Sequence, residues 1–419
     1  MEDAAHKAAE AAARASYGRL VAMLAAATRD IAAAEDVLSE AFASALAQWP
    51  AKGVPDNPEG WLLTAARNRM HNARRHQKVR DQGALEIEQR YSFMSEDEAV
   101  FPDERLKLMF ICAHPAINDG VRTPLMLQTV LGISAERIAA AFLVPPATMG
   151  QRLVRAKLKI RDAGIRFAIP EPEQMRDRLA DVLDAVYTAY GAGWDDLDGS
   201  DATVRSLTLE AIYLGRLIVT LLPKEPEPMG LLSMMLHCEA RKHARRDKEG
   251  RFVPLRRQDH QLWSRDMIIE AEQHLTTASR FGQYGRYQCE AAIQSLHAQR
   301  AITGVANHKA LITLYDLLAR HSSSIGVSVS RAAVLLDAGE AAKALEALET
   351  LPAERIRTYQ PYWVAKTRAF GAAGRREEAA NALARALELT QDSAVRAFLE
   401  NDAAPDVPNA RHARQNAEG

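Results

Sequence analysis

Apolar residues recur at three- and four-residue spacing along almost the whole chain, the period an amphipathic helix needs to keep one face inward. Leu20, Met23, Leu24 and Ile31 form one such set; Leu179, Val182, Leu183, Val186 and Tyr187 form another. Alternating runs of Val, Ile and Thr are rare, and alanine, the best helix former, is abundant. The predicted fold class is all-α. At 419 residues the chain is too long for one core, and about two to four domains are expected.

Turn-forming residues and composition shifts divide it. A first helical domain is expected over residues 14–80, with a break at the Pro50–Pro58 segment. Residues 81–103, polar and acidic, read as a linker. A second helical domain spans 104–168 and closes at Ile169-Pro-Glu-Pro172. A larger helical extension runs over 175–320, a repetitive zone over 325–400, and residues 402–419 read as a disordered tail.

Lys and Arg (53) nearly balance Asp and Glu (54), which excludes a uniformly basic protein. The balance does not hold locally, however. Residues 60–80 carry Arg67, Arg69, Arg74, Arg75, Lys78 and Arg80 with no acid among them. Residues 147–161 carry Arg152, Arg155, Lys157, Lys159 and Arg161, again with no acid. A basic helix face can simply be solvated; two of them in a neutral chain make the local footprint a polyanion requires.

The second basic segment has its own geometry. Ser134 caps a short helix that places Ile138, Ala139 and Phe142 on one face, and Leu143-Val-Pro-Pro146 ends it. Pro146 suits the first position of the next helix, whose apolar stripe is Met149, Leu153, Ala156 and Ile160. Thr148, Gln151, Arg152, Arg155 and Lys159 remain outside. Helix, short turn and basic helix form a helix-turn-helix whose second member enters the major groove. Arg and Gln suit bidentate contacts to guanine and adenine, and Lys159 suits phosphate. In the first segment Trp61 accompanies the cations along one helix, as a stacking surface for opening strands or as a core anchor.

AEDVLSEAFASAL (34–46), NPEGWLLTAARNRMHNARR (57–75), the acidic linker and SAERIAAAFLVPPATMGQRLVRAKLKIR (134–161) occur in an order and spacing that resembles bacterial sigma factors of the extracytoplasmic-function group. The resemblance implies a first domain that docks on the β′ clamp helices of core RNA polymerase, through Glu35, Asp36, Ser39 and Glu40. It implies capture and melting of the −10 element by the helix carrying Trp61, Asn68, Arg69, Asn72, Arg74 and Arg75. Members of that family commonly carry Asp where this chain has Asn72. The helix-turn-helix corresponds to the −35 reader and to the domain that meets the β flap. FICAHPAIN (110–118), the 235–263 stretch and RYQCEAAIQSLHAQ (286–299) resemble landmarks of a subgroup with a long helical extension ending in tetratricopeptide-like repeats.

The repeat has support from its own spacing. Trp363, Phe370, Gly374, Ala379, Leu383 and Ala386 occupy the bulky and small positions of a tetratricopeptide unit, with Thr367 where Gly or Ala is usual. A weaker copy holds Gly339, Ala344 and Leu348. Such repeats expose a surface for a protein or peptide ligand.

Other constellations carry less. Cys112 with His114, and His237, Cys238 and His243, lack the paired spacing of a zinc site, so no metal is expected. The 191–200 acidic loop lacks the ligand order of a calcium hand. With no phosphate-binding loop, nucleophile elbow or metalloprotease helix, neither an enzyme nor a cofactor is expected. Residues 241–257 gather eight Arg and Lys side chains around a tight turn at Glu249, Gly250 and Arg251, read as a regulatory contact. No apolar run approaches the length of a membrane span, and three scattered cysteines fit a reduced cytoplasmic protein. The expectation is a promoter-recognising sigma factor with a regulatory extension, binding core RNA polymerase and promoter DNA; the alternative is a tetratricopeptide scaffold with a degenerate DNA-binding module.

Overall fold

A computed structural model describes residues 2–80, 104–142, 144–165, 167, 170–194 and 202–402. The expected linker 81–103 and residues 403–419 of the expected tail lie outside them. Among the described residues every regular element is a helix, apart from one isolated bridge between Arg246 and Phe252. The chain forms two compact units, Met1–Leu222 and Pro223–Gly419. The division falls inside the segment expected to form one extension, 175–320.

The first unit begins with α1 (Glu2–Thr28), α2 (Ile31–Lys52) and α3 (Pro58–Arg80). Asp30 separates α1 from α2, and its carboxylate accepts the Ala33 N–H at 3.2 Å, satisfying an otherwise orphaned donor of the first turn. Ile31, Ala34, Leu38, Ala41, Ala45 and Trp49 bury one face of α2. That helix runs through Pro50 to Lys52, into the expected break, because a proline in the last turn removes only one backbone bond; residues 53–57 are non-helical before α3. Gly53 (φ +87°) ends it by donating to the Trp49 carbonyl at 3.0 Å. Glu59 at the start of α3 ties back to α1, accepting from Ser16 Oγ at 3.0 Å and from Arg19.

Next come α4 (Glu104–Cys112), α5 (Asp119–Thr129), α6 (Ala135–Ala141) and α7 (Pro146–Asp162). Of these, α4 and α5 pack on α1, and α7 packs on α2. A Cβ on Gly18 of α1 would lie 1.7 Å from the Val130 carbonyl oxygen at the end of α5, so only glycine admits this approach. Two further helices, α8 (Pro172–Trp194) and α9 (Ala202–Leu221), complete the unit. Arg122 of α5 meets Asp181 of α8 at 2.9 Å, the buried Arg178 donates to the Phe110 carbonyl at 3.0 Å, and Arg105 of α4 pairs with Glu210 of α9.

The second unit is built on α10 (Pro226–Ala240), buried from Pro228 to Ala240 and packed against α11 (Arg265–Ser279) and α12 (Arg286–Thr303). The Glu227 carboxylate caps α12, accepting backbone N–H groups of Tyr287 (3.0 Å) and Gln288 (3.2 Å). Helices α13 (His308–His321), α14 (Ile325–Asp337), α15 (Ala341–Glu349), α16 (Ala353–Ile356), α17 (Gln360–Ala372), α18 (Arg376–Leu389) and α19 (Ser393–Asp402) follow. Two antiparallel hairpins, α14–α15 and α17–α18, turn at Gly339 (φ +82°) and Gly374 (φ +74°). Ala344, Leu348, Phe370, Ala379 and Ala386 are buried, as a small-residue helix contact requires, while Trp363 and Leu383 are half-buried. Thr367 is buried too and returns its hydroxyl to the Trp363 carbonyl at 2.8 Å.

Candidate nucleic-acid interface

Ser134 accepts the Arg137 N–H at 3.4 Å and caps α6; α7 then starts with Pro146 at its first position. On α7, Met149, Leu153, Ala156 and Ile160 are buried at 1–7% exposure, which fixes the inward face. Gln151, Arg152, Arg155 and Lys159 are exposed and Thr148 is half-buried. Four polar side chains thus stand on the outside of one helix held by an apolar seam. Val154 (57% exposed) and Leu158 (37%) stand there with them. Sequence periodicity assigned the inward residues and passed over these two, because an apolar side chain off the stripe carries no period of its own.

Lys157 points the other way. It is buried, and its ammonium meets Glu35 Oε2 of α2 at 2.5 Å. Burial raises the Glu35 carboxyl above its ordinary range, with the Lys157 charge pulling in the opposite direction. The expected polymerase residues therefore divide: Glu35 sits in an ion pair inside this unit, whereas Asp36, Ser39 and Glu40 are exposed on the same helix.

On α3, Asn68 is exposed, and Arg69 crosses to α2, bonding Glu40 Oε2 at 2.5 Å and the Ser44 hydroxyl. This pairs a residue expected at the −10 element with one expected on polymerase. Trp61 is half-buried and meets Trp49 edge-to-face, with ring centroids 5.6 Å apart, so much of the indole serves as a core contact. Asn72, Arg74 and Arg75 belong to α3, and their side chains lie outside the described residues.

In the second unit the expected regulatory turn is a closed network. Gly250 adopts φ +76° and donates to the Asp247 carbonyl at 3.0 Å. Asp247 accepts from the Arg251 backbone N–H (2.8 Å), from Arg251 Nε (2.7 Å) and from the Glu249 N–H (3.1 Å). The sequence reading missed Asp247, the hub of the turn; its place four residues before an Arg and three before a Gly was the available signal. Beside the turn, Phe252 meets Phe398 of α19 edge-to-face at 5.5 Å and Arg246 pairs with Asp392 at 2.8 Å. Arg251 is left largely in solvent.

Cys112 and His114 have local partners. His114 Nδ1 accepts the Ala116 N–H at 3.1 Å, and the buried Cys112 thiol, 3.7 Å from the Thr129 hydroxyl, is pushed up to about 12 by burial. Among the described residues no three His, Cys, Asp or Glu side chains gather where a metal ion could sit, and no helix is long and apolar enough to cross a membrane.

Comparison with known proteins identifies two segments of the chain. Residues 13–80, spanning α1 to α3, match sigma-70 region 2. Residues 178–279 match a family of unknown function, DUF6596. An uncharacterized protein of Rhizobium meliloti is 34% identical over 378 residues, covering 88% of this chain and 89% of the relative. No solved structure matches the chain. The chain belongs to one family with the Rhizobium protein and, carrying sigma-70 region 2 ahead of the DUF6596 domain, is a sigma-70 family factor with a role in promoter-directed transcription.

Proposed function

We propose that the protein acts in the cytoplasm as an extracytoplasmic-function type factor, without enzymatic activity, that brings core RNA polymerase to a small set of promoters. In this reading Asp36, Ser39 and Glu40 of α2 meet the β′ clamp helices, α3 captures the −10 element, and α7 reads the −35 element. The observation that carries it is the outer face of α7, where Gln151, Arg152, Arg155 and Lys159 are exposed over a buried apolar seam. Bidentate and phosphate contacts need that combination of side chains. The helices after α7 supply regulation, with the Glu249–Gly250–Arg251 turn as one contact and the α14–α18 hairpins as a tetratricopeptide-like surface for a protein or peptide.

The −35 and −10 elements lie about 25 base pairs apart, or about 85 Å of duplex. Both α3 and α7 pack on α2, so they must separate before both elements can be read together. Core polymerase, by drawing on the α2 face, supplies the free energy for that separation.

The test is capture. The full chain, incubated with core RNA polymerase, should co-elute with it and direct transcription from specific promoters of a genomic template. A folded chain that neither binds the core enzyme nor changes its promoter choice would refute the reading.

A further inference from the structure

The buried stripe of α7 fixes the direction toward the core, and at about 100° per residue the remaining positions can be placed around it. Gln151 and Leu158 point most directly away. Arg155, and beyond it Lys159 and Arg152, fall on one flank of this outer face. Val154 falls on the other, one turn before Leu158; the two are 57% and 37% exposed.

A single exposed apolar residue needs no explanation. Here two adjoin an amide and several guanidinium and ammonium groups, and that mixture selects a class of surface. The cations complement a polyanion rather than a protein groove. Among the base edges of the major groove, only thymine sets a methyl group beside hydrogen-bond acceptors and donors. Val154 lies in the middle turn of α7, closer than Leu158 to the N-terminal residues that reach base edges in a helix-turn-helix. Its branched side chain is held in essentially one rotamer on a helix, so its methyl groups are fixed in place.

We propose that Val154 contacts the C5-methyl group of a thymine in the −35 element, and so determines specificity at one position beside Gln151 and Arg155. The proposal rests on the reading of α7 as the −35 helix.

The test uses holoenzyme assembled from the full chain and core RNA polymerase, and duplexes randomised across the promoter. Wild-type holoenzyme selects its preferred sequences, and each selected thymine of the upstream element is then replaced by deoxyuridine, which removes only the methyl. One replacement should weaken wild-type binding about fourfold, the worth of one buried methyl group. Val154→Ala should bind thymine and uracil equally at that position, and Val154→Thr, which keeps one γ-methyl, should retain part of the preference. A wild-type holoenzyme that selects sequence but ignores the methyl overturns this proposal alone, as does undiminished discrimination by Val154→Ala. Selection without any upstream sequence preference overturns the −35 reading and this proposal with it. Weakened polymerase capture by Val154→Ala, with methyl discrimination unchanged in the holoenzyme that forms at saturating core enzyme, overturns the proposal and assigns the residue to a protein contact instead.

Discussion

Lys157 of α7 and Glu35 of α2 meet at 2.5 Å across 122 residues of sequence, with 9% and 18% of their side chains exposed. The pair joins the helix that would read DNA to the helix that would dock on polymerase. Removing one member leaves the other desolvated and unpaired, which costs about 3–5 kcal/mol for fully buried pairs.

Lys157→Met should therefore lower the stability of the N-terminal unit toward the lower end of that range, because Glu35 keeps some contact with water. The exchange Glu35→Lys with Lys157→Glu should recover part of the loss. A thermal-unfolding double-mutant cycle measures this, and a coupling near zero would show that the two side chains stabilise nothing together.

Gly18 and Gly150 should respond in opposite directions to alanine. At Gly18 the new Cβ would sit 1.7 Å from the Val130 carbonyl oxygen, so α1 and the end of α5 must part. The cost should be at least about 1–3 kcal/mol, as for overpacking. Gly150 lies within α7 with nothing within 4 Å of an added Cβ, and Gly150→Ala should stabilise by about 0.4–1 kcal/mol. Denaturant midpoints for the two variants should move apart.

Truncation after Pro170 should yield a less stable N-terminal fragment than truncation after Leu222. The shorter piece loses α8 and α9, and with them the partners of Arg122 and Arg105 and the guanidinium on the Phe110 carbonyl. It also bares the apolar faces those helices cover. Equal melting temperatures and equal solubility of the two fragments would contradict this.

His237 and His297 in the second unit are both pushed down to about 4, chiefly by burial and further by Arg241. Their ordinary value is near 6.5, so between the two values the unfolded chain binds the extra protons. Stability from keeping these rings neutral is fully present above pH 6.5 and is lost as pH falls through 4, at about 1.4 kcal/mol per group per pH unit. Urea unfolding of the full chain at pH 7 and pH 5, read by pulsed hydrogen exchange of α10 peptides at one labelling pH, should show the lower midpoint at pH 5. Replacing His237 by Gln should shrink the difference, and pH-independent midpoints would rule the effect out.

The sequence by itself determined the local elements: the Ser134 cap, Pro146 opening α7, the buried stripe from Met149 to Ile160, and the glycine turns at Gly339 and Gly374. Each depends on residues within a turn or two of one another, where period, cap and backbone freedom act directly on the chain. Only the tertiary structure decided that Lys157 faces inward onto Glu35, that Arg69 spends its charge on Glu40, that Glu227 caps α12, and that Gly18 seats α1 on α5. Lys157 and Lys159 belong to one basic run, yet one is buried and the other exposed. A helical period tells which face turns inward, but the partner waiting there comes from distant chain, and that partner decides whether a charge is paired in the core or left in solvent.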